Sequence, residues 1–186
     1  MQNRLLVFFL LLLLPVTAEA QKLAVATDML GYADFATING EASYSVSRHW
    51  SANAGFRYNP FVFQSRAEDE HLISNRQRTF SAGARYWPWH VFSGWWISGK
   101  LQYQEYNRGG IRKLETREGD RYGAGAAAGF TYMLYPWLNL ELSLGGWVGK
   151  DRYVVYECPE CGVRKDQGET FYVLPNDMML SLSFVF

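Results

Sequence analysis

Cys158 and Cys161 are the only cysteines of the 186-residue chain, and they stand together in Cys158-Pro159-Glu160-Cys161-Gly162. A knuckle of this spacing supplies half of a zinc ribbon, but a structural zinc needs four ligands and no second pair exists. His71 falls in another long connection on the same rim of the predicted fold, whereas His49 and His90 fall on the opposite rim. Redox-active pairs normally open a helix in an α/β domain, a setting absent from this sequence. A local disulfide clipping a tight turn ranks first, as an oxidising export route allows. An intermolecular bridge or a His-assisted metal ranks second, and redox catalysis a distant third. The expectation is no metal and no cofactor.

A second cluster of reactive types is Glu68-Asp69-Glu70-His71, which holds the parts of a general acid–base pair. The simpler reading is a solvated, charged loop. Asn107-Arg108-Gly109-Gly110 has the glycines of a phosphate loop but opens no helix after its strand. No nucleophile at a strained turn is visible, so no catalytic residue is assigned.

The third set is ionic. Glu41, Arg57, Arg85, Lys100, Arg121 and Glu141 each fall on the polar side of an alternating segment. If those sides face one enclosed lumen, the charges must pair, because an uncompensated buried charge costs several kcal/mol. Such a network reads as a plug that fixes the fold; a gated ion path is the functional alternative.

The elements that place these residues are β-strands with a side-chain period of two. Ile38, Gly40, Ala42, Tyr44 and Val46 oppose Asn39, Glu41, Ser43, Ser45 and Ser47. Trp50, Ala52, Ala54, Phe56 and Tyr58 oppose Ser51, Asn53, Gly55, Arg57 and Asn59. The same alternation runs over Phe80–Tyr86, Trp95–Gln104, Arg121–Leu134 and Leu138–Gly145. At the end, Met178, Leu180, Leu182, Phe184 and Phe186 form one large apolar face. With Leu23–Leu30, which alternates poorly, the count is eight strands near the ~10 residues expected of a membrane barrel.

Connections alternate short and long. Arg48-His49, Pro88 to Gly94 and Tyr135-Pro136 are short; Pro60 to Arg78, Asn107 to Gly119 and Asp151 to Asp177 are long and charged; Gly31 to Thr37 is intermediate. Short periplasmic turns and long external loops are the order of an outer-membrane barrel, with both termini in the periplasm. A soluble lipocalin-like barrel would share the alternation but bury its apolar set. Trp50, Trp87, Trp89, Trp95, Trp96 and Trp137 all neighbour the short turns, as an interfacial indole belt predicts, and Trp147 lies toward the other end. Phe186 is read as the aromatic of the barrel-assembly signal.

The N-terminus fits export. Arg4 precedes the apolar run Leu5 to Leu14 and the small-x-small site Ala18-Glu19-Ala20, so residues 1–20 are read as a signal peptide and 21–186 as one domain. The run is too short to span a bilayer as a helix. Lys plus Arg and Asp plus Glu number 18 each, which removes an electrostatic case for nucleic acid.

In combination, several short segments are specific. They are Arg48-His49-Trp50-Ser51 leading to Tyr58-Asn59-Pro60, Ala84-Arg85-Tyr86-Trp87, Gln104-Glu105-Tyr106-Asn107 with Gly109-Gly110-Ile111, Tyr122-Gly123-Ala124-Gly125, and Tyr156-Glu157-Cys158 to Cys161-Gly162. Over most of its mature length the chain thereby resembles a family of small Bacteroidetes outer-membrane barrels, catalogued as a domain of unknown function and often encoded near fimbrial genes. Met29 to Asn39 departs from the Asn-Leu-Leu-Tyr-Asp-like pattern of that family. The resemblance implies location, fold and a loose link with surface fimbriae, and carries over no site residue.

The sequence therefore predicts an all-β, eight-stranded antiparallel up-and-down transmembrane β-barrel in the outer membrane of a Gram-negative bacterium. Its expected partners are outer-membrane lipid and a fimbrial or other cell-surface protein. A structural or partner-binding role is expected, with no catalysis. The alternatives are a rim-located enzyme acting on lipid or peptide, as outer-membrane proteases and acyl-modifying barrels do with rim His and carboxylate or Ser groups, and a narrow channel.

Overall fold

The computed structural model describes residues 21–64, 72–110, 115–157, 162–175 and 177–186. The segment 1–20 expected to be a signal peptide, the Glu68–His71 cluster and both cysteines lie outside the described residues. The elements are β1 (Leu23–Asp28), α1 (Met29–Ala33), β2 (Ile38–Ser47), β3 (Trp50–Asn59), β4 (Val62–Gln64), β5 (Leu72–Tyr86), β6 (Gly94–Gly109), β7 (Thr116–Tyr135), β8 (Leu138–Tyr156), β9 (Arg164–Leu174) and β10 (Met179–Val185).

All pairings are antiparallel, and the strands follow one another around a closed ring. Closure comes from β10, which pairs with β1 on one edge and with Leu138–Ser143 of β8 on the other. The outer half of β8, Trp147–Tyr156, pairs instead with β9. Thus β9 and β10 fill one place in turn, as an eighth strand interrupted between Leu174 and Met179. Pro175 lies in that break and has no N–H to give to a ladder. The short β4 stands off the ring, paired to the start of β5.

Face assignment follows the two-residue period. On β3, Ser51 and Asn53 are buried while Trp50, Ala52, Ala54 and Phe56 are exposed; on β6, Trp96, Ser98 and Lys100 are buried while Trp95, Ile97 and Leu101 are exposed. The ring is thus polar within and apolar without, the inverse of a soluble sheet protein.

Several strands run past the bounds expected from alternation. β5 starts at Leu72, β6 runs to Gly109, β7 starts at Thr116, and β8 runs to Tyr156 to meet β9. The segments expected to be long loops are therefore largely paired hairpin arms. Asp120 opposes Arg152, and Arg152 opposes Glu169, so both faces are polar there and the apolar period disappears while the ladder continues. The first strand stops at Asp28, whose side chain accepts from the Leu30 N–H and caps α1.

The short-turn end of the ring is filled by a small apolar core of Trp87, Val91, Phe92, Trp96, Ala127 and Val185, with Ala24. The turn after β5 folds inward: the Val91 N–H donates to the Arg48 carbonyl at 3.1 Å, and Asn139 donates to the Phe92 carbonyl at 3.0 Å. Phe92 takes a left-handed conformation to do so (φ 65°). This corrects the indole belt. Trp87 and Trp96 are only 0% and 1% exposed, with their indole N–H groups given to Ser51 and Thr131. Trp96 shares the inward parity of Ser98 and Lys100, and Trp147 also faces inward; Trp50, Trp89, Trp95 and Trp137 remain outside.

Candidate functional site

Two surfaces of the ring hold its chemistry: the enclosed polar column and the banded exterior.

At the foot of the column, Arg85 sits between two carboxylates. Its guanidinium donates to Glu141 at 3.1 Å and pairs with Glu41, and it lies 4.2 Å from the Trp96 ring centre below. Asn53 also donates to Glu41, at 3.3 Å. Of the six charges that the sequence assigned to the lumen, only Arg85, Glu41 and Glu141 meet one another. The other three cations find acids that alternation did not supply. Lys100 pairs with Asp177 at 2.7 Å and Arg57 with Asp28 at 3.3 Å. Arg121 and Arg117 lie 3.2 and 3.0 Å from Asp151.

The missed acids have separate causes. Asp28 ends the poorly alternating first strand, and Asp177 sits in the break of the eighth. Asp151 continues the inward parity of Glu141, Ser143 and Trp147, so extending the β8 period would have found it.

Further out, Asp151 also accepts from the Tyr106 hydroxyl at 2.8 Å, and Arg121 stacks over the Tyr106 ring at 4.0 Å. The Tyr106 phenol is held above its ordinary range by burial first and by its bond to Asp151. Arg108, one rung above Tyr106, is held below the usual guanidinium range, chiefly by burial and then by the like charge of Arg121. The segment from α1 to β2 covers this level. Asn59 donates to the Phe35 carbonyl and the Thr37 hydroxyl, and Asn75 donates to Asp34.

The exterior is banded. Near the short turns, Trp50 packs on Tyr86, Trp95 on Phe130, and Trp137 on Tyr135 and Phe184. Toward the hairpin arms, adjacent strands bring Phe56 opposite Phe80, Phe80 opposite Tyr103, and Tyr103 opposite Tyr122. Between these two rows the outward residues include Ala52, Ala54, Ala82, Ala84, Ile97, Gly99, Leu101, Leu142 and Leu144. Beyond the second row charges begin at once: Arg78 opposite Glu105, Glu105 opposite Asp120, Asp120 opposite Arg152, Arg152 opposite Glu169. Hydrogen bonds from Lys150 and Arg152 hold the Glu169 carboxyl below its usual range. These collar residues line a groove of about 960 Å³ on the outside of the arms.

Phe186 lies at the seam. Its carbonyl accepts from the Lys22 and Leu23 N–H groups, and its own N–H donates to the Leu23 carbonyl at 2.7 Å. Among the described residues no cluster of His, Cys, Asp and Glu is placed to hold a metal ion. No described helix is long and apolar enough to cross a membrane.

Residues 6–186 match the family model described as Protein of unknown function (DUF3575), and the chain belongs to that family. No curated protein matches the chain.

Proposed function

We propose that this DUF3575 chain is a transmembrane β-barrel of a Gram-negative outer membrane, with a non-catalytic structural or partner-binding role at the cell surface. One observation carries the reading: an apolar outer wall bounded by two aromatic rows, around a polar interior. Lipid-facing barrels have an apolar band about 25 Å tall with aromatic girdles at both interfaces. The stretch from Trp95 to Tyr103 matches the ~9–11 residues a tilted strand needs to cross it. In water the same wall would expose Leu101, Ile97, Leu142 and Leu144, each more than half accessible, at a large hydrophobic cost.

The interior favours a closed barrel over a channel. The Val91-Phe92 turn is wedged into one end, ion pairs cross the middle, and the α1–β2 segment covers the other. Function then belongs to the hairpin arms and their charged collar, which offer a partner both charge signs and a wide groove. The partner class is a fimbrial or other cell-surface protein, as the family resemblance implies. Phe186, hydrogen-bonded at the seam, serves as the aromatic of the assembly signal.

Two experiments test this. A tag inserted after Gly162 should be reached by antibody on intact cells, and a tag at Pro136 only after permeabilisation; the reverse order, or recovery of the protein in the soluble fraction, overturns the membrane reading. Crosslinked outer membranes should yield a specific surface protein on pull-down. Release of lipid or peptide products by the purified barrel would replace the partner role with an enzymatic one.

A further inference from the structure

Inside the ring, beneath the α1–β2 segment, lies a cavity of about 390 Å³ whose walls include Arg57, Arg108, Arg121, Asp34 and Gln104. Its charges are unevenly matched. Arg57 is taken by Asp28, and Lys100 by Asp177. Arg121 shares the single carboxylate of Asp151 with Arg117. Arg108 has no carboxylate within ion-pair distance among the described residues, and Asp34, which also lines the cavity, is solvent-exposed and accepts from the Asn75 amide. Arg108 thus stands without an ion-pair partner, and Arg121 has only a shared one.

Their hydrogen bonding is incomplete at the same place. The buried Nε–H of Arg108, on the cavity wall, has no acceptor among the described residues, and the Nε of Arg121 has only the Asp151 carboxylate at 3.2 Å, which Arg117 also engages. The Tyr172 ring centre lies 5.7 Å from the Arg121 guanidinium. A buried donor left without an acceptor is uncommon, and one on the wall of a polar cavity beside a second guanidinium marks a place where an acceptor-rich group belongs.

We propose that this cavity binds the phosphoryl group of a small water-soluble ester entering from the hairpin end, with Arg108 and Arg121 as its anchors. Two like charges from neighbouring strands suit one group that carries two negative charges and several terminal oxygens. A phosphate monoester provides both, and guanidinium forks match its oxygens bidentately. A carboxylate would neutralise only one of the pair. The volume lies at the small end of ligand pockets, ~300–1,000 Å³, which leaves room for the phosphoryl group and a few attached carbons. The α1–β2 segment would form the roof. The inference needs the closed ring but not the membrane, so its failure leaves the barrel reading intact.

The probe is glycerol 3-phosphate, titrated calorimetrically into the full mature protein folded in detergent. Saturable one-to-one binding is expected, and Arg108→Gln should weaken it at least tenfold while folding, checked by heat-modifiable mobility, is retained. If that variant fails to fold, NMR of the wild type decides: the Arg108 and Arg121 Nε–H resonances should shift with glycerol 3-phosphate and stay unmoved with glycerol. No saturable binding by the wild type overturns the site. So does equal binding of succinate, which would show no preference for phosphoryl. A short-chain phosphatidic acid that binds where the soluble ester does not would overturn the water-soluble source and point to a lipid headgroup.

Discussion

Lys100, at the middle of β6, reaches 2.7 Å across the interior to Asp177 in the break between β9 and β10. The contact ties the interrupted strand to the far wall, and both side chains are almost fully enclosed. Asp177→Asn should leave the ammonium uncompensated and destabilise the fold by about 3–5 kcal/mol, while the double replacement Lys100→Met with Asp177→Leu should recover much of it. Denaturant unfolding of protein folded in detergent measures both. Equal losses for single and double variants would mean that the pair does not act as a unit.

The triad at the foot of the column is asymmetric, with Arg85 balancing both Glu41 and Glu141. Arg85→Met should cost about 3–5 kcal/mol, because it strands two carboxylates. Glu141→Gln should cost less, about 1.5–3 kcal/mol, since Glu41 still neutralises the guanidinium. The ordering of the two variants in the same unfolding assay is the check. Planar-bilayer recordings add a second reading: the wild type should pass no steady ion-selective current.

Leu101 is 68% exposed in the middle of the apolar band, and Val163 is exposed at the end of the β8–β9 arm. If lipid surrounds the band, Leu101→Arg should cost ~2–4 kcal/mol of folding free energy in vesicles. Val163→Arg, placed in water, should change stability by no more than ~0.5 kcal/mol. Equal effects at the two positions would remove lipid from the account.

The arm β8–β9 should loosen in acid. Hydrogen bonds from Lys150 and Arg152 depress the folded-state pKa of Glu169. A depressed carboxyl contributes stability that is present above its unfolded value and is lost as pH falls through its folded value. Amide exchange in this arm, taken as the ratio of wild type to Glu169→Gln, should favour the wild type near pH 7. It should converge on the variant below the ordinary carboxylate range, ~4. A ratio that stays constant over that span would contradict the assignment.

The number of ring positions, their order and the inward face of Glu41, Arg57, Arg85, Lys100, Arg121 and Glu141 were legible from a period of two alone, because one side of each strand is apolar. The arms were not. From Thr116 to Asp120 and from Lys150 to Tyr156 both faces meet polar surroundings, so the contrast that reveals a strand is gone although its hydrogen bonds remain. Trp87 and Trp96 face inward because the two-residue parity they share with Arg85 and Ser98, not their proximity to a turn, sets their face. The helical turn at Met29–Ala33 is too short to show a helical period, and only the Asp28 cap hints at it. The ion-pair partners needed tertiary placement: Asp177 approaches Lys100 only because the eighth strand breaks there.

The seam between β1 and β10 bears on the order of events in folding. Leu23 is bonded to Phe186, so the ladder that closes the ring joins the two most distant parts of the described chain. Every other neighbouring pair can zip locally as a hairpin, whereas this one needs β10, the last of the described strands, to meet the first. Until then β1 and β8 present two unpaired edges, the arrangement most open to pairing with another chain. The ring therefore stays vulnerable until β10 docks, and removing residues from β10 would prolong that state. Such a truncation should appear as aggregation through open edges rather than as a weakened but closed ring.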